Sequence, residues 1–108
     1  MVREPRTEWF EGQFFAMIFH YVYVLYSLNH KFIYVGYTRD LRGRFQKHNK
    51  KEVKSTSHYV PLELIFYEAY QSIEDALRRE RHLKTTKGRM TLKSMLRETL
   101  LKKQNRLL

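Results

Sequence analysis

The sequence predicts an α+β domain in which a small antiparallel sheet is covered by helices. Three segments rich in β-branched and aromatic residues are bounded by turn signals, whereas other segments place apolar residues at helical spacing. The elements follow in the order ββαβαα, and a three-stranded sheet flanked by three helices is the simplest packing for them. A chain of 108 residues with 43% hydrophobic residues has room for one core.

The first two strands are predicted to form a hairpin. His20–Ser27 is β-branched and aromatic throughout, as in a strand that is covered on both faces. A short polar turn follows, and Lys31–Gly36 returns as the second strand, which Gly36 is expected to end. A basic polar loop, residues 49–61, then leads to a third strand at Leu62–Tyr70.

Capping signals in the sequence predict two helices. Thr38 is the expected N-cap of the first helix, which runs to about Lys50 with Asp40 in its first turn. Ser72 and Asp75 form a capping-box pattern at the start of the second helix, from Ile73 to about Lys84.

A third helix is predicted near the carboxyl end. Residues 85–88 are expected to separate it from the second helix, with Gly88 in a helix-ending turn. Its apolar face consists of Leu92, Met95, Leu96 and Leu100.

The ends of the chain differ in composition from the middle. Residues 1–17 mix charges without period, and we expect a flexible extension or an over-called start with Met17 as the initiator. Residues 18–101 are expected to form the domain, and residues 102–108 a basic tail into which the third helix frays.

The charge balance indicates an anionic partner. There are 21 Lys and Arg residues against 11 Asp and Glu residues, a net charge of +10, and nucleic acid is the first candidate partner. Residues 39–58 and 78–108 together hold 18 of the 21 basic residues. The basic surface is therefore expected on the helices and the loop of residues 49–61, and not on the sheet.

Composition also excludes several classes of protein. Cysteine is absent, so the chain has no disulfide framework, no thiol nucleophile and no cysteine-based zinc site. No apolar stretch is long enough for a membrane span, and the amino-terminal residues lack the pattern of a secretory signal. A cytoplasmic protein that does not associate with membranes is the expectation.

One carboxylate breaks the apolar pattern of the second helix. Glu80 lies within the apolar stripe, three residues from both Leu77 and Leu83. A carboxylate that faces a core is costly unless it is paired or binds a metal. Spacing leaves two interpretations open: a ligand for a hard cation such as Mg²⁺, or an ion pair with Lys84 one turn later.

Polar side chains also converge on the first helix and the hairpin. Arg44 and His48 are four residues apart, so they could together hold a phosphate and move a proton, or be a surface arginine beside a half-buried histidine. Tyr23 and Tyr34 lie in the hairpin strands, where cross-strand packing explains them equally well.

The ordered set of these residues resembles the GIY-YIG nuclease family, and in particular its small single-domain bacterial members. The motif residues are Tyr21-Val22-Tyr23, Tyr34-Val35-Gly36, then Arg44, His48 and Glu80, and the similarity covers roughly residues 20–90. Each motif alone is weak evidence for the family, but the motifs occur in the family's order and with its spacings. Tyr21 occupies the position of the family's first glycine, which we interpret as a subfamily trait.

The resemblance implies a metal-dependent endonuclease that hydrolyses DNA phosphodiester bonds. Tyr23 would be the general base, Tyr34 would position water or phosphate, and Arg44 would stabilise charge on the phosphate. His48 would assist proton transfer or phosphate binding. Glu80 would hold Mg²⁺, for which Mn²⁺ could substitute.

The expected partner is DNA, with RNA as an alternative, and the chain is expected to be a monomer. It has no room for the additional DNA-binding regions of related enzymes, so we expect recognition of structure or backbone, or a protein partner that supplies specificity. The alternative function is a catalytically weak nucleic-acid-binding module within a larger complex. The basic residues expected to contact nucleic acid are Arg39, Arg42, Lys47, Lys50, Lys51, Lys54, Lys84 and Lys87.

Overall fold

Three antiparallel strands form the sheet in the computed structural model, which describes residues 17–105. The strands are β1 (His20–Ser27), β2 (Phe32–Thr38) and β3 (Leu62–Tyr70). Their order is β2-β1-β3, so β1 is central and pairs with both neighbours. The predicted α+β class and three-stranded antiparallel sheet are confirmed, and β1 and β3 have the predicted bounds.

Four helices pack around this sheet within the described residues. They are α1 (Leu41–Asn49), α2 (Ile73–Leu83), α3 (Thr86–Met95) and α4 (Arg97–Asn105), and a short 3₁₀ turn at Ser57–Tyr59 lies in the loop before β3. No described helix is long and apolar enough to cross a membrane.

The predicted third helix is in fact two helices. Leu96 leaves the helical conformation between α3 and α4, with φ −107° and ψ 23°. Leu92, Leu96 and Leu100 are nevertheless buried in the same core. The apolar stripe is thus continuous across the break, which is why periodicity did not reveal it.

The prediction that Gly36 and Thr38 mark the end of the hairpin and the start of α1 is wrong. Gly36 and Thr38 still pair with β1, and Asp40 is the N-cap, since its carboxylate accepts a hydrogen bond from the Gly43 backbone amide at 3.1 Å. Ser72 does occupy the N-cap position of α2. Its hydroxyl, however, donates to the Glu74 carboxylate at 2.8 Å and makes no capping bond.

Gly88 also has a different role from the predicted helix-ending turn. It lies in the first turn of α3, where its backbone amide donates to the Thr85 side chain at 3.0 Å. A Cβ at this position would overlap the carbonyl oxygen of His82 at the end of α2. Glycine is required here because two helices approach closely.

Alternate residues of β1 face two different cores. Val22, Val24 and Tyr26 face α2, α3 and α4, whereas Tyr23 and Leu25 face α1 and the loop after it. The sheet is therefore covered on both sides, as the unbroken apolar and aromatic sequence of β1 predicts.

An ion pair fixes α2 against the sheet. The Arg79 guanidinium donates two hydrogen bonds to the Glu68 carboxylate of β3, at 2.9 and 3.1 Å, and the Tyr70 hydroxyl donates a third at 2.6 Å. Burial opposes the ionisation of Glu68, but these bonds outweigh it and hold its pKa below the ordinary value. The next residue of α2 is Glu80, so this pair also fixes the helical turn from which the Glu80 side chain projects.

The helix that was expected to fray from Lys102 continues as α4 to Asn105, and Lys103 forms an ion pair with Glu63 at 2.5 Å. The expectations for residues 1–16 and 106–108 lie outside the described residues.

Gly88→Ala is predicted to destabilise the protein by about 1–3 kcal/mol, because the added methyl group overlaps the end of α2. Alanine normally stabilises a helix relative to glycine by roughly 1 kcal/mol. A loss of stability in this variant can therefore be attributed to the close approach of the two helices. Urea denaturation measures the effect, and Ser94→Ala at an exposed position of α3 is the control. A Gly88→Ala protein as stable as the parent would contradict this role for Gly88.

Candidate active site

The site lies on the face of the sheet that α1 covers. Tyr23 of β1 and Tyr34 of β2 contact there, with ring centroids 6.2 Å apart. Gly36 pairs with Tyr23 across the strands, and a Cβ on Gly36 would lie 2.5 Å from the Cζ and hydroxyl oxygen of Tyr23. The glycine in the strand thus leaves space for the phenol.

A buried hydrogen-bonded chain joins the strand, the helix and the loop. The Tyr23 hydroxyl lies 2.7 Å from Nε2 of His48, and Nδ1 of His48 lies 2.7 Å from Oγ1 of Thr56. Tyr23 is 1% exposed, and His48 and Thr56 are fully buried. Since buried polar groups require partners, the three side chains hold one another in place.

The donors and acceptors in this series of hydrogen bonds can be assigned from Thr56. The Thr56 hydroxyl lies 3.4 Å from the Val53 carbonyl oxygen, which can only accept a hydrogen bond. The hydroxyl therefore donates to Val53 and accepts from Nδ1–H of His48. This arrangement assigns the Nδ1-protonated tautomer, in which Nε2 accepts the proton of the Tyr23 hydroxyl.

Burial controls the protonation of both rings. Burial, followed by the positive charge of Arg44, lowers the pKa of His48 to about 4, so the imidazole is neutral at physiological pH. Burial also raises the pKa of Tyr23 to about 12, although the neighbouring Arg44 guanidinium opposes this change. The resting site therefore holds a neutral phenol that donates to a neutral imidazole.

Arg44 brings positive charge to the same point. Its guanidinium interacts with the hydroxyl groups of Tyr23 and Tyr34. Its Nε is buried and has no hydrogen-bond partner among residues 17–105. A buried donor without an acceptor is unfavourable, and a phosphate oxygen is an acceptor that would satisfy it.

Glu80 reaches the site from α2. Its carboxylate pairs with Lys84 at 3.1 Å, and Nζ of Lys84 lies 6.0 Å from the centroid of the Tyr34 ring. The negative charge of Glu80 contributes to the raised pKa of Tyr23, which places the carboxylate within electrostatic range of the phenol. The ion pair that the sequence offered as one interpretation of Glu80 is therefore present.

The donor set also fits a magnesium ion. The Glu80 side chain is 18% exposed and supplies a hard oxygen ligand. Mg²⁺ retains several waters and is held by one or two carboxylates together with substrate phosphates. The described residues contain no cluster of three or more histidine, aspartate and glutamate side chains. A magnesium ion here would be held by Glu80 together with water and substrate phosphates, in place of the ion pair with Lys84.

All eight basic residues expected to contact nucleic acid are exposed. Six lie on α1, at its ends and in the loop after it, whereas Lys84 and Lys87 lie at the junction of α2 and α3. Apart from Lys84, none of them forms an ion pair with another described residue. The eight residues are Arg39, Arg42, Lys47, Lys50, Lys51, Lys54, Lys84 and Lys87.

Sequence reasoning missed two residues that support the site. Thr56 orients His48, and Asn49 fixes the loop by donating to the Leu62 carbonyl at 3.0 Å and accepting from the Leu62 amide at 2.9 Å. Nothing in the sequence distinguishes Thr56 from the serines on either side of it. Asn49 directly follows His48, but its partner is 13 residues away and becomes adjacent only on folding.

The fold and the cluster of two tyrosines, an arginine, a histidine and a glutamate define a nuclease-type domain. Residues 19–93 match the family model described as the GIY-YIG catalytic domain. The chain therefore belongs to the GIY-YIG family of nucleases, and the family resemblance is confirmed.

Proteins similar to this chain are known in bacteria. A UPF0213 protein of Staphylococcus epidermidis is 38% identical over 75 residues, which cover 68% of this chain and 90% of the relative. A UPF0213 protein of Staphylococcus aureus is 34% identical over 67 residues, covering 61% and 80% respectively. The solution NMR structure of a UPF0213 protein from Bacillus halodurans is 32% identical and covers 72% of this chain and 85% of that one, with a TM-score of 0.47.

The unfolding free energy is predicted to decrease by up to about 3 kcal/mol as the pH falls from about 6.5 to about 4. In this range the unfolded chain binds a proton at position 48 that the buried imidazole in the native state does not. Urea denaturation at several pH values measures the slope.

His48→Gln should remove this part of the slope, and His58→Gln, at an exposed position, should retain it. An NMR titration of His48 with a midpoint near 6.5 would contradict the assignment of a neutral buried imidazole.

Proposed function

We propose that this protein is a Mg²⁺-dependent endonuclease that hydrolyses DNA phosphodiester bonds and recognises structure or backbone rather than an extended sequence. The observation that carries the proposal is the unpartnered Nε of Arg44 beside the hydrogen-bonded pair of Tyr23 and His48. Phosphodiester hydrolysis requires a hydrogen-bond donor for the phosphate and a nearby group that can move a proton. Arg44 can supply the donor, and Tyr23 with His48 can move the proton.

Tyr23 and His48 can act together as the general base. A phenol with a pKa of about 12 is a weak base as long as it keeps its own proton. The phenol oxygen can take a proton from the attacking water while its own proton passes to Nε2 of His48, 2.7 Å away, so that no separate phenolate and imidazolium pair has to form. Thr56 keeps the imidazole in the tautomer that can receive that proton.

Arg44 and Tyr34 would act on the phosphate. Arg44 donates hydrogen bonds to the non-bridging oxygens, whose negative charge increases in the transition state. Its charge also lowers the pKa of Tyr23, which favours proton transfer from the phenol. Tyr34 lies against both Tyr23 and His48, with a ring-centroid distance of 5.1 Å to His48, so it can position the water or the phosphate.

Glu80 would hold the metal ion. When bound, the metal supplies Lewis-acid stabilisation of the leaving oxygen. Lys84 neutralises Glu80 in the free protein and is exposed, so it can turn to a phosphate when the carboxylate binds a cation. Glu80, as a ligand for the metal, and Lys84, as a ligand for the substrate phosphate, would then lie next to each other.

The exposed basic residues of α1 and its loop would bind the nucleic-acid backbone. Phosphate contacts fix the position of a protein on DNA but carry no base sequence. A surface of separate exposed lysines and arginines therefore supports recognition of backbone and shape.

A second candidate function is a nucleic-acid-binding module with weak catalytic activity in a larger complex. The Glu80–Lys84 ion pair favours it, because a carboxylate that is already neutralised is a poorer metal ligand. The two functions differ in how strongly cleavage depends on Glu80 and on added Mg²⁺.

Tyr23→Phe and Glu80→Gln are each predicted to reduce Mg²⁺-dependent cleavage by about 100-fold or more, since each removes a group needed only for the reaction. Duplex, flap and junction DNA are incubated with the protein and Mg²⁺ or Mn²⁺. Tyr37→Phe, which breaks a tyrosine–histidine hydrogen bond outside the site, and Glu98→Gln, an exposed acid on α4, are the matched controls.

Absence of cleavage by the parent protein on every substrate, with DNA binding intact, would favour the binding module. Cleavage that survives Glu80→Gln would contradict the metal-binding role of Glu80.

DNA binding is predicted to weaken steeply with salt, and the double variant K47Q/K50Q should reduce the slope of log K against log salt by roughly 2 on duplex DNA, because each phosphate contact contributes about 0.9. Lys102→Gln, which removes one exposed positive charge on α4, is the control and should leave the slope unchanged. Fluorescence anisotropy at several salt concentrations measures both. A slope that K47Q/K50Q does not alter would show that the nucleic acid binds elsewhere.

A further inference from the structure

A cavity lies on the opposite side of the sheet from Tyr23 and His48. It has a volume of about 310 Å³ and is bounded by the β1–β2 hairpin, α3 and α4. Ile33 and Leu100 form its apolar wall, and both belong to the core that α2, α3 and α4 share with β1. Its size is at the lower end of the range for small-molecule sites.

Tyr26 lines this cavity, and its hydroxyl group is buried without a partner among residues 17–105. Tyr26 is 1% exposed, and its hydroxyl oxygen has no hydrogen-bond partner among the described residues. By contrast, the buried hydroxyl of Tyr23, three residues earlier, has a partner, since it donates to His48. An unsatisfied buried hydroxyl is unfavourable, and a polar atom of a ligand in the cavity would satisfy it.

Three cations surround the same cavity. Lys31 comes from the hairpin turn, Lys93 from α3 and Arg97 from the first turn of α4. All three are exposed, and none of them forms an ion pair with another residue in the range 17–105. Like charges from three separate elements repel one another unless an anion lies between them.

We propose that this cavity binds a nucleotide. The phosphate contacts Lys31, Lys93 and Arg97, the base packs against Ile33 and Leu100, and the Tyr26 hydroxyl bonds to a polar atom of the ligand. An inorganic anion would leave the apolar wall unused, and an apolar ligand would leave the cations and the hydroxyl unused. The site is separate from Tyr23 and His48, so it is independent of whether the protein cleaves DNA.

Titration of the ¹⁵N-labelled protein with 5′-dAMP tests this site. The largest shifts are expected at the amides of Lys31, Ile33, Lys93 and Leu100, and they should persist in Glu80→Gln, which alters the proposed active site. Deoxyadenosine and inorganic phosphate should each bind at least about tenfold more weakly, because each lacks one half of the recognised group. A four-nucleotide DNA strand that binds the same amides more tightly than 5′-dAMP would identify the ligand as part of a strand.

Two variants separate this site from the general surface charge. K93Q/R97Q should weaken binding of 5′-dAMP by about tenfold or more, whereas Lys102→Gln, outside the cavity, should not change it. Tyr26→Phe should weaken binding by roughly fivefold while leaving the melting temperature equal or higher, since it removes an unsatisfied hydroxyl. Inorganic phosphate that binds as tightly as 5′-dAMP, unchanged binding in Tyr26→Phe, or shifts confined to α1 would overturn the proposal.

Discussion

The buried hydrogen bond between Tyr23 and His48 is the interaction on which the site depends. A phenol and an imidazole that are removed from water must satisfy each other, and Thr56 satisfies the remaining nitrogen of the ring. These three groups come from β1, α1 and the loop before β3, so one chain of hydrogen bonds fixes three elements relative to one another. Gly36 is part of the same constraint, because only a residue without a Cβ leaves room for the phenol. The geometry of the site is therefore a consequence of packing the α1 face of the sheet.

Other polar and charged groups near the site also have partners within the protein. Glu80 pairs with Lys84, and the Tyr23 proton is held by a neutral imidazole. Both arrangements are stable without substrate, and both would have to exchange an internal partner for an external one during a reaction. Arg44 is the exception, since its Nε has no internal partner among the described residues. Its guanidinium also opposes the rise in the pKa of Tyr23. A phosphate that binds Arg44 would thus meet a guanidinium whose hydrogen-bonding capacity is not fully used within the described residues.

The strands were predicted well from the sequence because the spacing of apolar residues and the β-branched and aromatic composition depend directly on burial. β1 and β3 were predicted with their observed bounds, and the side chains of Tyr23, Tyr34, Arg44 and His48 were expected together and are found together. The errors fall where a local signal has two meanings. Gly36 was predicted to end a strand and Gly88 to end a helix, whereas both make room for a neighbour that becomes adjacent only on folding. The break at Leu96 was invisible because the same core buries the residues on both sides of it. Thr56 could not be found since its role depends on a contact with His48 across a loop.

The two tyrosines of β1 show how one strand can serve two purposes. Tyr23 and Tyr26 are three residues apart, equally buried, and directed to opposite faces of the sheet. The basic residues of the helices lie around both faces, so an anion is attracted to either side. The difference is the acceptor, since His48 can take a proton from Tyr23, whereas no described residue accepts a hydrogen bond from Tyr26. Proton transfer needs a second group to receive the proton, so the α1 face has the components for hydrolysis. The cavity on the opposite face combines cations with the unpartnered Tyr26 hydroxyl but has no such proton acceptor beside that hydroxyl within residues 17–105, which suits it for binding and not for hydrolysis.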